Sequence, residues 1–201
     1  MIFQADPSIP LEAQQILQEI GPLACHLSQL DILSSVDSTQ NYLMARRHFP
    51  SGYAVLAEQQ TAGRGRLGRR WFSQGYHIHL SLLWHFQIGF RSLTHLYRSA
   101  GQAVIRALEA NYFQGAVLKV PNDIFYQNKK LGGILIETFG RNTSPCQAII
   151  GIGINVQHVG DPNQLPIDQA WIDINTVQPQ ATNRNRLAGL LLNQLLQTLL
   201  A

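Results

Sequence analysis

The chain has 201 residues, of which 45% are hydrophobic and 13% are charged, and its formal net charge at pH 7 is +3. This composition excludes a disordered chain and allows one sizeable core. It also disfavours a broad nucleic-acid-binding face, because four of the fifteen Lys and Arg lie between Arg64 and Arg70 and leave the rest of the chain nearly neutral.

The two cysteines, Cys25 and Cys146, lie far apart and have no spacing typical of a zinc site or a disulfide framework. Met1 to Ala5 lack the basic and then apolar order of a signal peptide, and the charge-free stretch from Asn142 to Gly160 is too polar to span a bilayer. We therefore expect a cytoplasmic protein without a membrane partner.

The first part of the chain predicts a helix, a strand and a second helix. Apolar residues recur with an approximate helical period over Pro7 to Ile20, and Leu30 to Val36 is typical of a strand. The second helix is predicted to run to about His48. At its start, the hydroxyls of Ser38 and Thr39 either cap the helix or contact a polar ligand.

A predicted strand, Tyr53 to Glu58, leads into a loop from Gly63 to Trp71 that contains three glycines and four arginines. Glycine allows close backbone approach, and the guanidinium fork grips carboxylate or phosphate oxygens, so the loop predicts an anion site; the alternative is a solvated basic turn. A dinucleotide-binding turn fits poorly, because the next segment, His77 to Phe86, is strand-like rather than helical and no acidic residue follows before Glu109.

Polar and apolar residues alternate over His77 to Leu82, as in a half-buried strand. His77 and His79 fall on one face, but no third ligand with suitable spacing accompanies them, so we expect solvated or packed histidines rather than a metal site. The periodicity of Ser92 to Tyr112 then predicts a long helix.

All three lysines lie in one segment that begins with a predicted strand, Ala116 to Val120. The polar turn around Asn128 predicts a hairpin with Lys119 and Lys130 near its two ends. Such a concentration indicates a site for phosphate or carboxylate; the alternative, a solvated turn, explains Lys129 but not Lys119.

Gln147 to Val156 predicts a strand, in which Gly151 and Gly153 indicate either a close approach by a ligand or backbone, or a bulge. A meandering connection with prolines at 162, 166 and 179 leads to a terminal helix, Arg184 to Ala201. Together these elements predict the α+β class, with one mixed or mostly antiparallel sheet flanked by helices.

Four motifs resemble those of the biotin–protein ligase catalytic domain and occur in that family's order between Asp37 and Val156: Asp37-Ser38-Thr39; Gln60 through Arg66 to Trp71; Lys119-x-Pro121-Asn122-Asp123 with Lys130-Leu131-x-Gly133-Ile134-Leu135; and Gly151-x-Gly153-Ile154-Asn155-Val156. The resemblance implies the fold that biotin and lipoate ligases share, which is related to class II aminoacyl-tRNA synthetases. It places a catalytic domain in residues 1–183, followed by the terminal helix of residues 184–201.

The resemblance also implies a two-step reaction, in which ATP with Mg²⁺ activates biotin as biotinyl-5′-AMP and a lysine of a biotin carboxyl carrier protein then accepts the biotinyl group. It implies Lys130 and Arg66 as catalytic cations, with Asp123 near the metal or the incoming lysine. The implied biotin and adenylate contacts are Ser38, Thr39, Gln40, Gln60, Gly63, Arg64, Gly65, Arg66, Lys130, Gly133, Gly151 and Gly153. The implied ATP contacts are Arg69, Trp71, Lys119, Asn122, Asp123 and Asn155.

This chain departs from the family at Gln40, where Asn is common, at Val120, where Trp is frequent, and at Leu67, where a further Arg is sometimes found. We expect the family's small C-terminal β-barrel to be missing or reduced, and its DNA-binding N-terminal domain to be absent, so we expect no nucleic-acid partner. A monomer or a homodimer is compatible with the sequence. The alternatives are a lipoate or octanoate ligase of the same fold and a catalytically idle biotin-binding module; a nucleic-acid-binding protein ranks last.

Overall fold

One seven-stranded sheet organises this computed structural model, which describes residues 6–140, 145–161, 167–178 and 180–201. The strands are β1 (Gln29–Val36), β2 (Tyr53–Gln60), β3 (Gly75–Phe86), β4 (Val117–Lys119), β5 (Asp123–Tyr126), β6 (Lys129–Gly140) and β7 (Cys146–His158). Their order in the sheet is β1-β2-β3-β7-β6-β5-β4, and only β1 and β2 pair in parallel. The predicted mixed, mostly antiparallel sheet is confirmed.

Five α-helices accompany the sheet in the described part of the chain: α1 (Ala13–Ile20), α2 (Thr39–Met44), α3 (Leu96–Ala110), α4 (Ile174–Val177) and α5 (Arg184–Leu200). Three predictions concern segments partly or wholly outside the described residues: the absence of a signal peptide at Met1 to Ala5, the charge-free stretch from Asn142, and the prolines at 162, 166 and 179. Among the described residues, no helix combines the length and the apolar character needed to cross a bilayer.

The two faces of the sheet are covered unequally. On one face, alternate strand residues such as Leu56, Leu80 and Ile152 pack against α1, α3 and α5 in the main hydrophobic core. On the opposite face a smaller cluster gathers around Leu43 of α2 and Val55 of β2. Because α2 is short, it covers only part of this second face, and the functional residues lie on the remainder.

The predicted first helix begins later than the sequence indicated, at Ala13 rather than Pro7. Pro10 has no N–H to donate, and the residue before a proline is disfavoured in helical conformation. The carbonyl oxygens of Pro7 and Ile9 instead accept hydrogen bonds from the guanidinium of Arg184, at 2.6 and 2.9 Å. This irregular segment is therefore fixed by a side chain from the other end of the chain.

Arg184 is the first residue of α5 and is almost fully buried. Besides the two carbonyls it pairs with the carboxylate of Glu58, whose other oxygen accepts from the backbone N–H of Leu11 at 2.6 Å. A buried guanidinium is tolerated only when its donors find acceptors. The Arg184 network thus joins α5, the segment before α1 and strand β2.

The predicted hairpin is confirmed as the β5–β6 pair. Gln127 and Asn128 both have positive φ, of 45° and 63°, which is the backbone pattern of a two-residue type I′ turn. Lys130 lies at the start of β6, whereas Lys119 lies on the neighbouring strand β4 rather than on a hairpin arm.

We predict that Gly189→Ala destabilises the protein, although alanine normally favours a helix by about 1 kcal/mol over glycine. A Cβ at position 189 would lie 2.4 Å from Cβ of Glu19 and 2.8 Å from the carbonyl oxygen of Ile16, atoms that cannot rotate away. The expected loss in free energy of unfolding is about 1–3 kcal/mol, measured by urea denaturation.

Gly101→Ala in α3 is the matched control. Its Cβ would meet Cδ1 and Cδ2 of Leu118 at 2.7 Å, and the end of a leucine side chain can move. We expect a smaller loss than at position 189, and equal stabilities of the two variants would contradict the proposed close contact between α1 and α5.

Candidate active site

The glycine–arginine loop is a folded turn held by its own backbone. Gly65 N–H donates to the carbonyl of Arg69 at 2.7 Å, and Trp71 N–H donates to the carbonyl of Gly63 at 2.9 Å. At its tip Leu67 has a left-handed conformation, with φ of 56°, and is 89% exposed. The loop therefore projects Leu67 outward and returns the chain to the sheet at Trp71.

Two adjoining cavities lie beside this loop, on the sheet face that α2 only partly covers. The second is much the larger of the two. The residues that line both, and so form their junction, are Gly65, Arg66, Trp71, Asn122, Asp123 and Lys130.

The floor of the first cavity depends on three glycines of the two adjacent strands β6 and β7. A Cβ on Gly153 would lie 2.6 Å from Cζ2 of Trp71, and one on Gly151 would lie 2.6 Å from Oε1 of Gln40. Gly133 is the cross-strand partner of Gly153. Because β7 pairs with β6 in unbroken register here, the close-approach interpretation of these glycines holds and the bulge does not.

Hydrogen bonds connect the polar side chains of the first cavity. Oε1 of Gln60 accepts from the backbone N–H of Thr39 at 2.9 Å and from its hydroxyl at 3.2 Å. The Ser81 hydroxyl lies 2.9 Å from Oγ1 of Thr39 and 3.1 Å from Oε1 of Gln40. Ser38 occupies the cap position of α2 without a side-chain cap hydrogen bond, so the structure favours the ligand-contact interpretation of these hydroxyls.

Lys130 reaches the junction through a bulge in the β5–β6 pair. Phe125 pairs with Lys130 but Ile124 pairs with Gly132, so Leu131 is an extra residue. Leu131 is fully buried in the main core, whereas the Nζ of Lys130 lies 2.8 Å from Oδ1 of Asp123 on the other face. Without the bulge, strand alternation would direct Lys130 and Leu131 to the opposite faces.

The two arginines of the loop that line the first cavity have different partners. Arg66 donates to Oδ1 of Asn122 at 2.6 Å, and its guanidinium lies 5.5 Å from the ring centre of Tyr97. Arg64 forms a two-point ion pair with Glu137, at 2.7 and 3.1 Å. Arg66 is therefore held by neutral groups and forms no ion pair with the residues that the structure describes, whereas the charge of Arg64 is balanced by Glu137.

Positive charge exceeds negative charge around the second cavity. Of its lining residues that the structure describes, four are cations and two are acidic. The cations are Arg66, Arg69, Arg70 and Lys130, and the acids are Asp123 and Asp168. An anionic ligand is favoured in such a cleft.

Most of the residues predicted for the site line these cavities. The first is lined by Ser38, Thr39, Gln40, Gln60, Arg64, Gly65, Arg66, Lys130, Gly133, Gly151 and Gly153. Of the predicted ATP contacts, the second is lined by Arg69, Trp71, Asn122, Asp123 and Asn155.

Gly63 and Lys119 lie outside both cavities. A Cβ on Gly63 would lie 2.5 Å from the carbonyl oxygen of Trp71, so this glycine permits the loop to close on itself. Lys119 is exposed, with its Nζ 4.6 Å from the ring centre of Phe125. Of the three departures from the family, Gln40 lines the first cavity and Leu67, although mostly exposed, borders the second, whereas Val120 is mostly exposed and lines neither.

Several residues that line the cavities were not predicted from the sequence. His79 and Ser81 line the first, and His77, His158 and Trp171 line the second. The alternation of β3 gave a signal for His77, His79 and Ser81, since it places all three on one face. Nothing in the sequence linked Trp171 to Lys130, but backbone hydrogen bonds of 2.9 Å join Lys130 to the two neighbours of Trp171.

Two of the three histidines of β3, His77 and His79, are buried and neutral. Burial lowers the pKa of His77 to about 4 and that of His79 to about 3. Nδ1 of His77 accepts from the backbone N–H of Val156, and Nδ1 of His79 lies 3.2 Å from the carbonyl oxygen of Ala57. In the described part of the chain, no cluster of three or more metal-ligating side chains includes them.

We predict that the free energy of unfolding falls as the pH is lowered from 6.5 to 5. Above pH 6.5 both histidines are neutral in the folded and the unfolded chain, but below it the unfolded chain binds protons that the folded chain excludes. The loss approaches about 1.4 kcal/mol per pH unit for each buried histidine and would continue until the folded-state pKa values are reached.

Urea denaturation at several pH values measures this dependence. His79→Gln should reduce the slope between pH 6.5 and 5 by up to one proton, whereas His26→Gln, at an exposed position, should keep the wild-type slope. An unchanged slope in His79→Gln would show that the folded protein protonates His79 freely.

Comparisons of the sequence and of the fold with known proteins relate this chain to one family. The model of the Biotin/lipoate A/B protein ligase family matches residues 32–155. The bifunctional ligase/repressor BirA of Escherichia coli is 34% identical over 194 residues, which are 94% of this chain and 58% of that protein. The biotin--[acetyl-CoA-carboxylase] ligase of Mycobacterium tuberculosis is 31% identical over 195 residues, which cover 92% of this chain and 70% of that protein.

A solved structure has the same fold: the biotin protein ligase from Aquifex aeolicus in complex with biotin and ATP superposes with a TM-score of 0.70 at 30% identity, over 86% of this chain and 71% of that one. The chain spans roughly half the length of the ligase/repressor proteins that it matches. These matches confirm the resemblance that the motifs indicated: this chain belongs to the biotin/lipoate A/B protein ligase family.

Proposed function

We propose that this chain uses ATP to convert biotin to biotinyl-5′-AMP and transfers the biotinyl group to a lysine of a biotin carboxyl carrier protein. The observation that carries the proposal is the position of Lys130, whose ammonium group lies at the junction of the two cavities. Relatives named as biotin ligases, one of them solved with biotin and ATP, support the choice of substrates.

The two cavities suit the two substrates. The first is small, with the hydrogen-bonded side chains of Thr39, Gln60 and Ser81 in its wall and cations at the junction, which fits a ring that carries a carboxylate on a flexible arm. The second is larger and more positively charged, and Trp171 offers it an aromatic surface, which fits a nucleotide with its phosphates. The carboxylate and the α-phosphate would then meet beside Lys130.

In the first step an oxygen of the biotin carboxylate attacks the α-phosphorus of ATP, and the bond from that phosphorus to the bridging oxygen breaks as pyrophosphate leaves. Both reactants are anions, so Lys130 and Arg66 offset their repulsion and stabilise the charge that develops on the phosphoryl oxygens. Because Asp123 already pairs with Lys130 at 2.8 Å, it holds the ammonium group in place before the substrates arrive.

In the second step the carrier lysine, as the free amine, attacks the carbonyl carbon of the mixed anhydride, the bond to the AMP oxygen breaks as AMP leaves, and the nitrogen gives its extra proton to water. The carboxylate of Asp123, which pairs with Lys130, is suited to attract the ammonium form of the carrier lysine before that ammonium loses the proton that frees the amine for attack. The loop from Gly63 to Trp71 forms part of the wall, which limits the access of water to the anhydride.

Magnesium fits this site chiefly as a partner of the nucleotide. Magnesium is usually bound by one or two carboxylates together with substrate phosphates. Asp123 supplies one carboxylate, of which Oδ1 faces Lys130 and Asn122, so only Oδ2 remains for an ion carried by ATP. When bound, the ion would neutralise the phosphates of the leaving group. A cytoplasmic setting, where ATP and carrier proteins occur together, is part of this proposal.

The alternatives differ in the acid used or in the absence of chemistry. A lipoate or octanoate ligase would employ the same junction with another acid. A catalytically idle biotin-binding module would have no need for a cation between the cavities, and the paired arrangement of Lys130 and Asp123 therefore favours an enzyme.

We predict that purified protein releases pyrophosphate from ATP when Mg²⁺ and biotin are present, but not with lipoate, octanoate or no acid. Lys130→Ala should lower the rate by about 10²–10³-fold, because one group that stabilises the developing charge is removed. Lys129→Ala is the matched control, since its exposed side chain lines neither cavity and its loss should leave the rate unchanged.

Three other outcomes would each contradict part of the proposal. Release with lipoate or octanoate in place of biotin would assign another substrate. Biotin binding without pyrophosphate release would assign the idle binding module. An equal loss in the Lys129 and Lys130 variants would remove the reason for placing Lys130 at the reacting atoms.

A further inference from the structure

His79 occupies an unusual position for a histidine in the wall of the first cavity. It lies on β3, two residues before Ser81, and its cross-strand neighbour on β7 is Gly153. The side chain is 1% exposed and lines the cavity that we assign to the acid substrate. Neither the motifs nor the family resemblance assigned it a role.

The hydrogen bond to β2 fixes which ring nitrogen carries the proton. Nδ1 lies 3.2 Å from the carbonyl oxygen of Ala57, and a carbonyl oxygen can only accept, so Nδ1 must donate. A neutral imidazole has a single N–H, which is now used. Nε2 therefore carries a lone pair and is an acceptor.

This acceptor has no partner among the residues that the structure describes. Nε2 is buried, and no described residue makes a hydrogen bond to it. The nearby side chains are engaged with one another: Oε1 of Gln60 with Thr39, and Ser81 with Thr39 and Gln40. A buried acceptor without a donor costs free energy, so a ligand that brings an N–H to this point is favoured over one that does not.

Of the three candidate acids, biotin, lipoate and octanoate, only biotin can donate an N–H to this acceptor. The ureido ring of biotin carries two N–H groups, whereas the dithiolane ring of lipoate and the alkyl chain of octanoate carry none. An analogue that lacks the hydrogen-bonding group leaves a buried polar atom of the site without a partner, so the site discriminates strongly against it. An apolar pocket discriminates much less between ligands that differ only in shape.

We propose that Nε2 of His79 accepts a hydrogen bond from a ring N–H of the bound acid, and that this contact selects a cyclic urea over an apolar acyl group. The inference rests on the proposed function in one respect, since it takes the first cavity as the site of the acid. It concerns ligand binding, however, and is tested without ATP or turnover.

The test is calorimetric binding of biotin, desthiobiotin and octanoate, without nucleotide, to wild-type protein and to His79→Phe, which keeps a ring and removes the acceptor. Loss of one hydrogen bond should weaken binding of biotin and desthiobiotin about 10- to 100-fold, because both keep the ureido ring. Octanoate should bind the variant as well as or better than it binds the wild type. His79→Gln, which returns an acceptor oxygen, should recover part of the affinity for biotin.

His85→Phe is the matched control, because it makes the same substitution on the same strand at a position that lines neither cavity. It should leave all three affinities unchanged. A merely structural role for His79 would weaken all ligands by one factor, and that result would overturn the proposal. Two other results would also overturn the proposal. In one, His79→Phe binds biotin with the affinity of the wild type; in the other, the wild type does not bind biotin.

A measurement on the wild-type protein covers the case in which His79→Phe does not fold. With ¹⁵N-labelled histidine, the Nε2 resonance of His79 should be that of an unprotonated nitrogen and should shift when biotin is added, but not when octanoate is added. A protonated Nε2, or no shift with biotin, would refute the proposal. Biotin binding with these signatures but without pyrophosphate release would instead remove the proposed catalysis and leave the role of His79 intact.

Discussion

The site exists because three positions on one face of the sheet have no side chain. A β-sheet normally presents a continuous layer of side chains, and a concave binding site on its face needs gaps in that layer. Gly133, Gly151 and Gly153 provide adjacent gaps on β6 and β7, and Trp71 and Gln40 pack directly over two of them. The rim of the cavity is thereby built from a loop and a helix, while its floor is backbone.

The cations of the site are positioned by different means, with different energetic consequences. Arg64 is paired with Glu137, and both side chains are partly exposed, at 37% and 24%. Such a pair contributes little to stability, so its main effect is to fix the direction of the loop beside α2. Arg66 is held by Asn122 and Tyr97, which are neutral, and Lys130 by a single carboxylate. The charge available to an anionic ligand therefore concentrates at the junction of the cavities.

Much of this arrangement was accessible from the sequence, because its signals are local. The alternation of β3, the turn at Asn128 and the glycines of β7 each reflect the backbone geometry of a few neighbouring residues, and the ordered motifs placed most of the lining residues. What was missed depends on contacts between distant parts of the chain. Trp171 joins the site through the backbone of Lys130 and a ring contact with His158, and α1 begins late in part because Arg184 binds the carbonyls before it.

The same limit applies to individual side chains. Lys119, which the resemblance implies as an ATP contact, lies exposed on β4, the edge strand of the sheet, and outside both cavities. His79 was expected to be a solvated or packed histidine, and it is packed; the alternation of β3 reveals its face but not the cavity that this face encloses. Register and neighbouring strands decide both cases, and they are properties of the folded sheet.

The extra residue at Leu131 also constrains how this hairpin can vary in length. Lys130 faces the site and Leu131 faces the core only because the bulge shifts the side-chain alternation of β6 by one residue. Inserting a single residue between Leu131 and Gly132 would exchange the faces of Lys130 and Leu131, placing an ammonium group in the core and a leucine at the cavities, whereas an insertion on the turn side of Lys130 would leave both faces unchanged. The number of residues between Lys130 and Gly133 is thus fixed by strand alternation as much as by chemistry. Natural or designed variants should keep it.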